Sequence, residues 1–473
     1  MAKERSTERF DVVVIGAGPG GYATALYGAA AGLDIALVEK DKVGGTCLHR
    51  GCIPAKELLE TASVYRAVSG AKEFGVLADQ PAVDFGVTQA RKQKVVDQLY
   101  RGLSGLLGAR KVTVHEGTGA LRPDNVVRVT GGPSGDLELS GDHVVLASGS
   151  EPRTIPGFEV DGRLVVTSDE LLEIDELPSS AVVVGGGAIG CEFASMLCDL
   201  GTTVSVFEAL PKILPGCDRD VARVVERSFA KRGIEVKTGV AVKGHTPNGS
   251  GRGTTVQYGD GETIDVDLVV VSVGRRPLAG DLGLDATAVV LDEGGHVEVD
   301  DRCRTAEPGV YAIGDLIATP QLAHVGFAEG MLVVKDILGE DPLPLDYGKV
   351  PWAIYCHPEV AFAGHSEESA KEAGLDVVVS KHRYQSNGRA LILGEPDGLV
   401  KVIAEKDADG RAGRLLGVHM VGPWVTEQLG QGYLAVNWEA TVDEVASLVQ
   451  PHPTLSELFG ETVLSLTGRG LHG

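Results

Sequence analysis

The chain has 473 residues, 43% of them hydrophobic and 23% charged, the balance of a globular protein too long for one core, so about three domains are expected. A formal net charge of −23 argues against nucleic acid or an anionic membrane surface as partner, because both select basic surfaces. Seven cysteines, an odd number spread over a long chain, do not make a secreted disulfide framework; a cytoplasmic protein is expected, where a disulfide is more often catalytic than structural.

The first residues, MAKERSTERF, mix acids and bases without an apolar stretch, so no secretory signal or mitochondrial presequence is expected. Residues 12–33 carry no charge and are long enough to span a bilayer. Their glycines and Pro19 resolve better as strand, turn and helix. A strand over residues 11–15 leads into Gly16-Ala17-Gly18-Pro19-Gly20-Gly21, an alanine-rich helix, a second strand over 35–38, and Glu39. In such a turn the glycines permit a tight bend, close approach of a pyrophosphate and close helix–strand packing. The helix N-terminus offers amides to the phosphates. Glu39 stands about twenty residues on, where a carboxylate accepts ribose hydroxyls.

Cys47 and Cys52 follow one strand later. Five residues apart on an ideal helix, their Cα atoms would be about 8–9 Å apart, and a disulfide needs less than about 7 Å. A bonded pair therefore requires a distorted helix, which Gly51 and Pro54 permit; two small buried side chains is the other reading. A long helix is expected over 85–107, hairpin-like strands over 112–145, and a strand over 144–147, ending in Ser148-Gly149, that returns to the first sheet.

The strand–turn–helix–strand pattern then recurs. Residues 181–184 lead into Gly185-Gly186-Gly187-Ala188-Ile189-Gly190, a helix, a strand over 203–207, and Glu208. An acid there accepts a 2′-hydroxyl and repels a 2′-phosphate. No arginine occurs in residues 203–209, so NAD is favoured over NADP. A loop is expected at 246–253, a closing strand at 268–273 before Gly274-Arg275-Arg276-Pro277, and a further strand at 310–313 before Gly314-Asp315. Asp315 could meet a polyol chain or simply make a turn. From about residue 348 strands (399–404, 415–420) alternate with helices (426–435, 442–448), an α+β pattern without a nucleotide turn. Near the end, His452 and Glu457 could form a base and its orienting carboxylate, but Thr454-Leu-Ser-Glu457 equally fits a capping box. Cys191, Cys198, Cys217, Cys303 and Cys356 are expected to be packing residues, and no metal site is expected.

Taken together, GGTCLHRGCIPAKELL (44–59), GGGAIGCE (185–192), VGRRP (273–277), VYAIGDLIATPQLAH (310–324), IYCHPEVAFAG (354–364), NGRA (387–390) and HPTLSE (452–457) resemble the pyridine nucleotide–disulfide oxidoreductases over essentially the whole chain. The resemblance implies an α/β fold of two Rossmann-like dinucleotide-binding domains plus a C-terminal α+β dimerisation domain. The expected boundaries are 1–150 for FAD, 151–279 for NAD, 280–347 for a central segment returning to the FAD domain, and 348–473 for the interface domain. It implies a homodimer with each active site built across the interface. Cys47 would exchange with substrate, Cys52 would face the flavin, and the partner's His452, oriented by Glu457, would act as base. Lys56 would lie near the flavin and pair with Glu192 beside the nicotinamide. FAD would be held by Gly16, Gly18, Gly21, Glu39, Lys40, Gly45 and Thr46, with Lys56, Gly149, Asp315, Ala323 and His324. NAD would be held by Gly185, Gly187, Ala188, Ile189, Gly190, Glu208 and Gly274.

Within the family, the branch that oxidises dihydrolipoamide to lipoamide with NAD+ fits best. No lipoyl-type segment precedes the first strand, so the lipoyl group would belong to a separate acyltransferase or carrier of a 2-oxo acid dehydrogenase complex. Glutathione reductases carry arginines for the NADP phosphate, which Glu208 contradicts. Mercuric reductases need a C-terminal cysteine pair, and this chain ends GRGLHG. Ala55, Ser148 and Cys356-His357 depart from the family's usual residues without removing a catalytic group. A docking subunit without chemistry is the remaining alternative, and the intact motifs argue against it.

Overall fold

The computed structural model describes residues 8–472 except 80, 134, 250 and 251. Residues 1–7, read above for a leader, lie outside the described residues, as do residues 250 and 251 of the expected loop. The chain divides into two compact units of interleaved segments. Met1–Glu57, Gly86–Arg153 and Gly274–Tyr347 form one; Leu58–Phe85, Thr154–Val273 and Gly348–Gly473 form the other.

The first unit is built on a sheet in which Glu8–Ile15 lies between Ile35–Glu39 and Leu137–Leu146, parallel to both. Val12, Val13 and Val14 are all fully buried. Continuous rather than alternating apolarity is what a parallel strand covered on both faces requires. Val310–Ala312 adds in parallel to the end of Leu137–Leu146. Thr118–Arg122 and Val126–Thr130 form the expected hairpin, which continues antiparallel onto Leu137–Leu146. Thr113–Glu116 differs from expectation: it leaves the hairpin and pairs in parallel with Ile35–Glu39. The glycine-rich turn leads into helix Pro19–Ala30, which packs against helix Ala323–Ile337. A Cβ on Gly330 would sit 2.8 Å from the Gly20 carbonyl oxygen, so the two backbones cross where a side chain cannot fit. The long helix runs Phe85–Ala109. A short antiparallel ribbon pairs Ser150–Pro152 with Arg275–Pro277.

The second unit repeats the parallel arrangement, with strand order Glu235–Thr238, Thr203–Glu208, Ser180–Val184, Leu268–Val271, Val165–Val166. A three-stranded antiparallel sheet follows at residues 242–266. Its C-terminal part is a five-stranded antiparallel sheet ordered Trp352–Ile354, Glu359–Gly364, Ala412–Gly422, Leu399–Lys406, Val377–Arg383. Helices Val425–Asn437 and Glu457–Leu466 pack on that sheet around Met420, Val436 and Phe459. The uncharged stretch 12–33 is strand and helix, and no helix among the described residues is long and apolar enough to cross a membrane.

Candidate active site

The two glycine-rich turns are built alike. Gly16 and Gly185 adopt φ of +100° and +108°, backbone that a side chain disfavours. A Cβ on Gly21 would lie 1.8 Å from the Gly16 carbonyl oxygen, and one on Gly190 would lie 1.9 Å from that of Gly185. Around Gly18 and Gly187 a Cβ would meet nothing within 4 Å. These are the N-caps of helices Pro19–Ala30 and Ala188–Asp199, and neither has a side-chain cap. Each turn therefore closes tightly at its first and third glycines and leaves the second open at a helix N-terminus, where a phosphate is stabilised.

The acid that follows each turn is held the same way. Glu39 accepts the Ala17 N–H at 2.7 Å and the Asp41 N–H at 2.9 Å. Glu208 accepts the Gly186 and Leu210 N–H groups, both at 2.7 Å. Each carboxylate oxygen keeps a second acceptor site for a ribose hydroxyl. Beside Glu39 opens a cavity of about 330 Å³, lined by Gly16, Glu39, Lys40, Ser148, Glu151 and Arg276 among others, on the scale of a ligand pocket. The open second glycine, the helix terminus and the acid beside a cavity fit the adenosine diphosphate half of FAD in the first unit. The second unit repeats the turn and acid that suit NAD. Ala188 and Ile189 open the second fingerprint helix, and Gly274, at φ +101°, accepts the Arg153 N–H through its carbonyl at 2.9 Å.

Cys47 and Cys52 form a disulfide with Cα atoms 4.6 Å apart. The helix is broken between them: Gly45–Arg50 ends at Gly51, with φ −148° and ψ −110°, and a new helix, Cys52–Gly70, begins at Cys52. The break removes the separation that a continuous helix would impose. Gly44 donates its N–H to the Ala17 carbonyl at 2.8 Å, and a Cβ on Gly45 would lie 2.6 Å from the Gly18 Cα. The cysteine segment, with Gly45 and Thr46 at its start, is thus seated directly on the first glycine-rich turn. Lys56 is one turn beyond Cys52 on the same helix face and is half-buried.

Asp315 sits in a single turn, Gly314–Leu316, after strand Val310–Ala312. Its Oδ2 accepts the Ser150 hydroxyl at 2.6 Å and lies 3.7 Å from Nε of Arg275, which also donates to the Ser150 hydroxyl at 2.7 Å. Gly149, at φ +74°, precedes Ser150, and Ser148 donates its hydroxyl to the Leu278 carbonyl at 2.7 Å. Ala323 and the exposed His324 open helix Ala323–Ile337. Nothing in the sequence around Ser150 and Arg275 marks them as site residues: their partner Asp315 is 165 and 40 residues away along the chain.

In the second unit, Glu192 is 6% exposed and its Oε1 accepts the Tyr355 N–H at 2.9 Å. Near the C-terminus, Nδ1 of His452 lies 2.9 Å from Oε2 of Glu457. The His452 side chain is 77% exposed and that of Glu457 only 19%, so the ring faces outward with its carboxylate behind it. The expected capping box does not form, because the helix begins at Glu457 itself, after Ser456; the Thr454 hydroxyl accepts the Glu457 N–H at 3.2 Å, while the Glu457 carboxylate turns to the histidine. Asn387 supports it, donating to Oε1 of Glu457 at 3.4 Å and to the Thr454 carbonyl at 2.9 Å. With Nδ1–H given to the carboxylate, Nε2 carries the free lone pair.

The other cysteines are free, and all but Cys198 are buried. Burial pushes the Cys191, Cys303 and Cys356 thiols up, and that of Cys217 up to about 12, so they behave as packing residues rather than nucleophiles. No group of residues suited to a metal ion occurs among the described residues.

The family described as pyridine nucleotide-disulphide oxidoreductase matches residues 10–330, and that family's dimerisation domain matches residues 350–463. The chain is 42% identical to a dihydrolipoyl dehydrogenase of Bacillus subtilis, covering 98% of this chain and 99% of that one. It is 38% identical to a dihydrolipoyl dehydrogenase of Thermus scotoductus, covering 98% of both. Among solved structures it is similar to LpdA from Mycobacterium tuberculosis, with TM-score 0.90, 26% identity, and coverage of 97% of this chain and 100% of that one. It is also similar to the HOCl-induced flavoprotein disulfide reductase RclA from Escherichia coli, with TM-score 0.85, 26% identity, and coverage of 96% and 99%.

Proposed function

The chain belongs to the pyridine nucleotide-disulphide oxidoreductases, and from that membership we propose that it oxidises dihydrolipoamide to lipoamide and reduces NAD+ to NADH. The observation that carries this is the Cys47–Cys52 disulfide, held in a broken helix seated on a dinucleotide turn. Its full-length likeness to relatives named dihydrolipoyl dehydrogenase supports the choice of substrate. The enzyme uses FAD and NAD. When bound, FAD relays two electrons between the cysteine pair and the nicotinamide.

Gly16, Gly18, Gly21, Glu39 and Lys40 bind the adenosine diphosphate half of FAD, and Gly149, Asp315, Ala323 and His324 the remainder. Gly185, Gly187, Gly190 and Glu208 bind NAD. One substrate sulfur, as thiolate, attacks Sγ of Cys47; the Cys47–Cys52 bond breaks and its electron pair stays on Cys52. The second substrate thiol gives its proton to Nε2 of His452. Its sulfur then attacks the substrate sulfur of the mixed disulfide, closing the substrate disulfide and freeing Cys47 as a thiolate. Overall the dithiol loses two electrons and two protons; NAD+ takes both electrons and one proton, and the second proton leaves to water. Lys56 and Glu192 fix charge around the flavin and nicotinamide.

The C-terminal segment is the family's dimerisation domain. In the homodimer each site is completed by the partner chain's histidine at position 452, a role suited to an exposed ring backed by a half-buried carboxylate. The proposed domains are 1–150 for FAD, 151–279 for NAD, 280–347 for a central return and 348–473 for the interface. The lipoyl substrate arrives on an acyltransferase or carrier of a 2-oxo acid dehydrogenase complex. A pair cycling between thiol and disulfide suits a reducing cytoplasm.

The test is steady-state kinetics with dihydrolipoamide and glutathione, each with NAD+ and NADP+. Dihydrolipoamide with NAD+ is expected to dominate. The kcat/KM for NAD+ should exceed that for NADP+ by at least about 10²-fold, because a 2′-phosphate would face the Glu208 carboxylate. Equal use of both nucleotides, or a preference for glutathione, overturns the reading.

A further inference from the structure

A carboxylate with no part in the proposed chemistry lies buried behind the Asp315 turn. Glu329, on helix Ala323–Ile337, is 0% exposed. Its Oε2 accepts the Gly314 N–H at 2.6 Å, and its Oε1 accepts the Thr319 hydroxyl at 2.8 Å and the Tyr347 hydroxyl at 3.0 Å. An acid kept dry is costly unless its oxygens are satisfied. Burial pushes its pKa up, and the three donors oppose that rise. The donors are not scattered. Gly314 immediately precedes Asp315, and Thr319 closes the same stretch five residues later, so one carboxylate ties both ends of the segment that carries Asp315.

From the front, Ser150 and Arg275 hold only Oδ2 of Asp315. Its Oδ1 takes no hydrogen bond among the described residues. The aspartate is thus fixed from two sides with one oxygen left over. Gly314 is at φ +68° and a Cβ there would meet nothing within 4 Å, so the turn that Glu329 pins is open on its outer side.

We propose that Glu329 is a positioning residue for the ribityl half of FAD, setting the Gly314–Thr319 segment so that Oδ1 of Asp315 accepts a flavin-chain hydroxyl. This rests on reading the first unit as the FAD site. It predicts a division of labour within the cofactor site. The adenosine diphosphate half depends on the Gly16–Gly21 turn and Glu39, and the ribityl half depends on Glu329.

The test compares two probes of that site in apoprotein prepared from the purified full chain. FAD spans both halves, and ADP occupies only the adenosine end. Glu329→Leu keeps the bulk and removes the acceptors. It should weaken FAD by about 10- to 100-fold, the factor for one or two lost charge-assisted hydrogen bonds, and leave ADP affinity within about twofold. Glu329→Gln can place its oxygen toward the Gly314 N–H while the two hydroxyls turn to accept from its amide. It should restore most of the FAD affinity. If Glu329→Leu does not fold, the Thr319→Val/Tyr347→Phe double variant, which removes the Oε1 donors, should shift FAD in the same direction without shifting ADP. Equal losses of FAD and ADP would show that Glu329 merely supports the fold, and unchanged FAD affinity would show that it does nothing for the cofactor; either overturns the proposal. Failure of the wild-type apoprotein to bind FAD would instead overturn the cofactor reading.

Discussion

At the scale of single residues, Glu457 had two readings, helix cap and partner of a base. The Thr454 hydroxyl accepts the Glu457 N–H, and the carboxylate is turned onto His452. Glu457→Gln should therefore lower turnover by about 10- to 10³-fold, the usual weight of general-base assistance, with little change in melting temperature. His452→Gln should fall at least as far. The double variant should lose less than the product of the two, because the pair acts as a unit. Unchanged turnover in Glu457→Gln would return the residue to a purely structural role. The local pattern T-L-S-E could not decide between these roles. The choice depends on Asn387, 70 residues away, which is 4% exposed and whose amide reaches both Glu457 and the Thr454 carbonyl. Patterns of spacing record which chemistry is available to a side chain, and its rotamer is set by neighbours that spacing does not contain.

At the scale of elements, each glycine of a fingerprint has its own reason. Gly18→Ala adds a methyl where the protein leaves open space and φ is an ordinary −67°. It should fold with a near-normal melting temperature and lose FAD, since the methyl occupies phosphate space. Gly21→Ala adds a methyl 1.8 Å from a carbonyl oxygen. The helix must move off the strand, and both stability and FAD should be lost, by an amount typical of overpacking, about 1–3 kcal/mol. Thermal melts and flavin content per chain check both outcomes. If the two variants behave alike, the division of roles is wrong. The fingerprint elements were legible because positive φ and steric closure dictate glycine within a few residues of chain. Thr113–Glu116 was not: its residues look the same in a hairpin or beside a parallel neighbour, and the partner that claims it, Ile35–Glu39, is more than seventy residues earlier.

At the scale of the second unit as a whole, the part built on the parallel sheet and the C-terminal antiparallel sheet are joined by a buried polar cluster. Lys401, 2% exposed, reaches Asp218, Asp220 and Glu367 at 3.0, 3.1 and 2.8 Å. Asp218 donates its N–H to Nδ1 of His419 at 3.3 Å, and Nε2 of His419 lies 3.1 Å from the His365 carbonyl, so the ring is neutral with its proton on Nε2. The Phe362 ring stacks on it at 5.2 Å. Burial pushes the pKa of His419 down to about 4 from 6.5. Because the folded value is the lower one, the unfolded chain binds the proton first. Stability from this group is full above about pH 6.5 and is lost as pH falls toward 4. Urea unfolding at pH 7.5 and pH 5 should show the wild type losing more than His419→Gln, which starts less stable. Parallel losses would remove His419 as the cause. None of this cluster could be read from the sequence, since Asp218 and Lys401 are 183 residues apart. Its location between two parts of one unit follows from the fold alone.

The break at Gly51 has a consequence for exchange at the disulfide. By ending one helix and starting another, it lets the Cys47 and Cys52 backbones come within 4.6 Å of each other, closer than a continuous helix would allow. When a thiol opens the bond at Cys47, the Cys52 thiolate faces the mixed disulfide at an effective molarity far above the concentration of any free thiol in solution. A monothiol that captures Cys47 is therefore expelled by its neighbour before a second molecule can arrive. Only a substrate with its own second sulfur tethered nearby competes on equal terms. The interrupted helix thus gives a dithiol an advantage in completing the exchange, exerted by proximity.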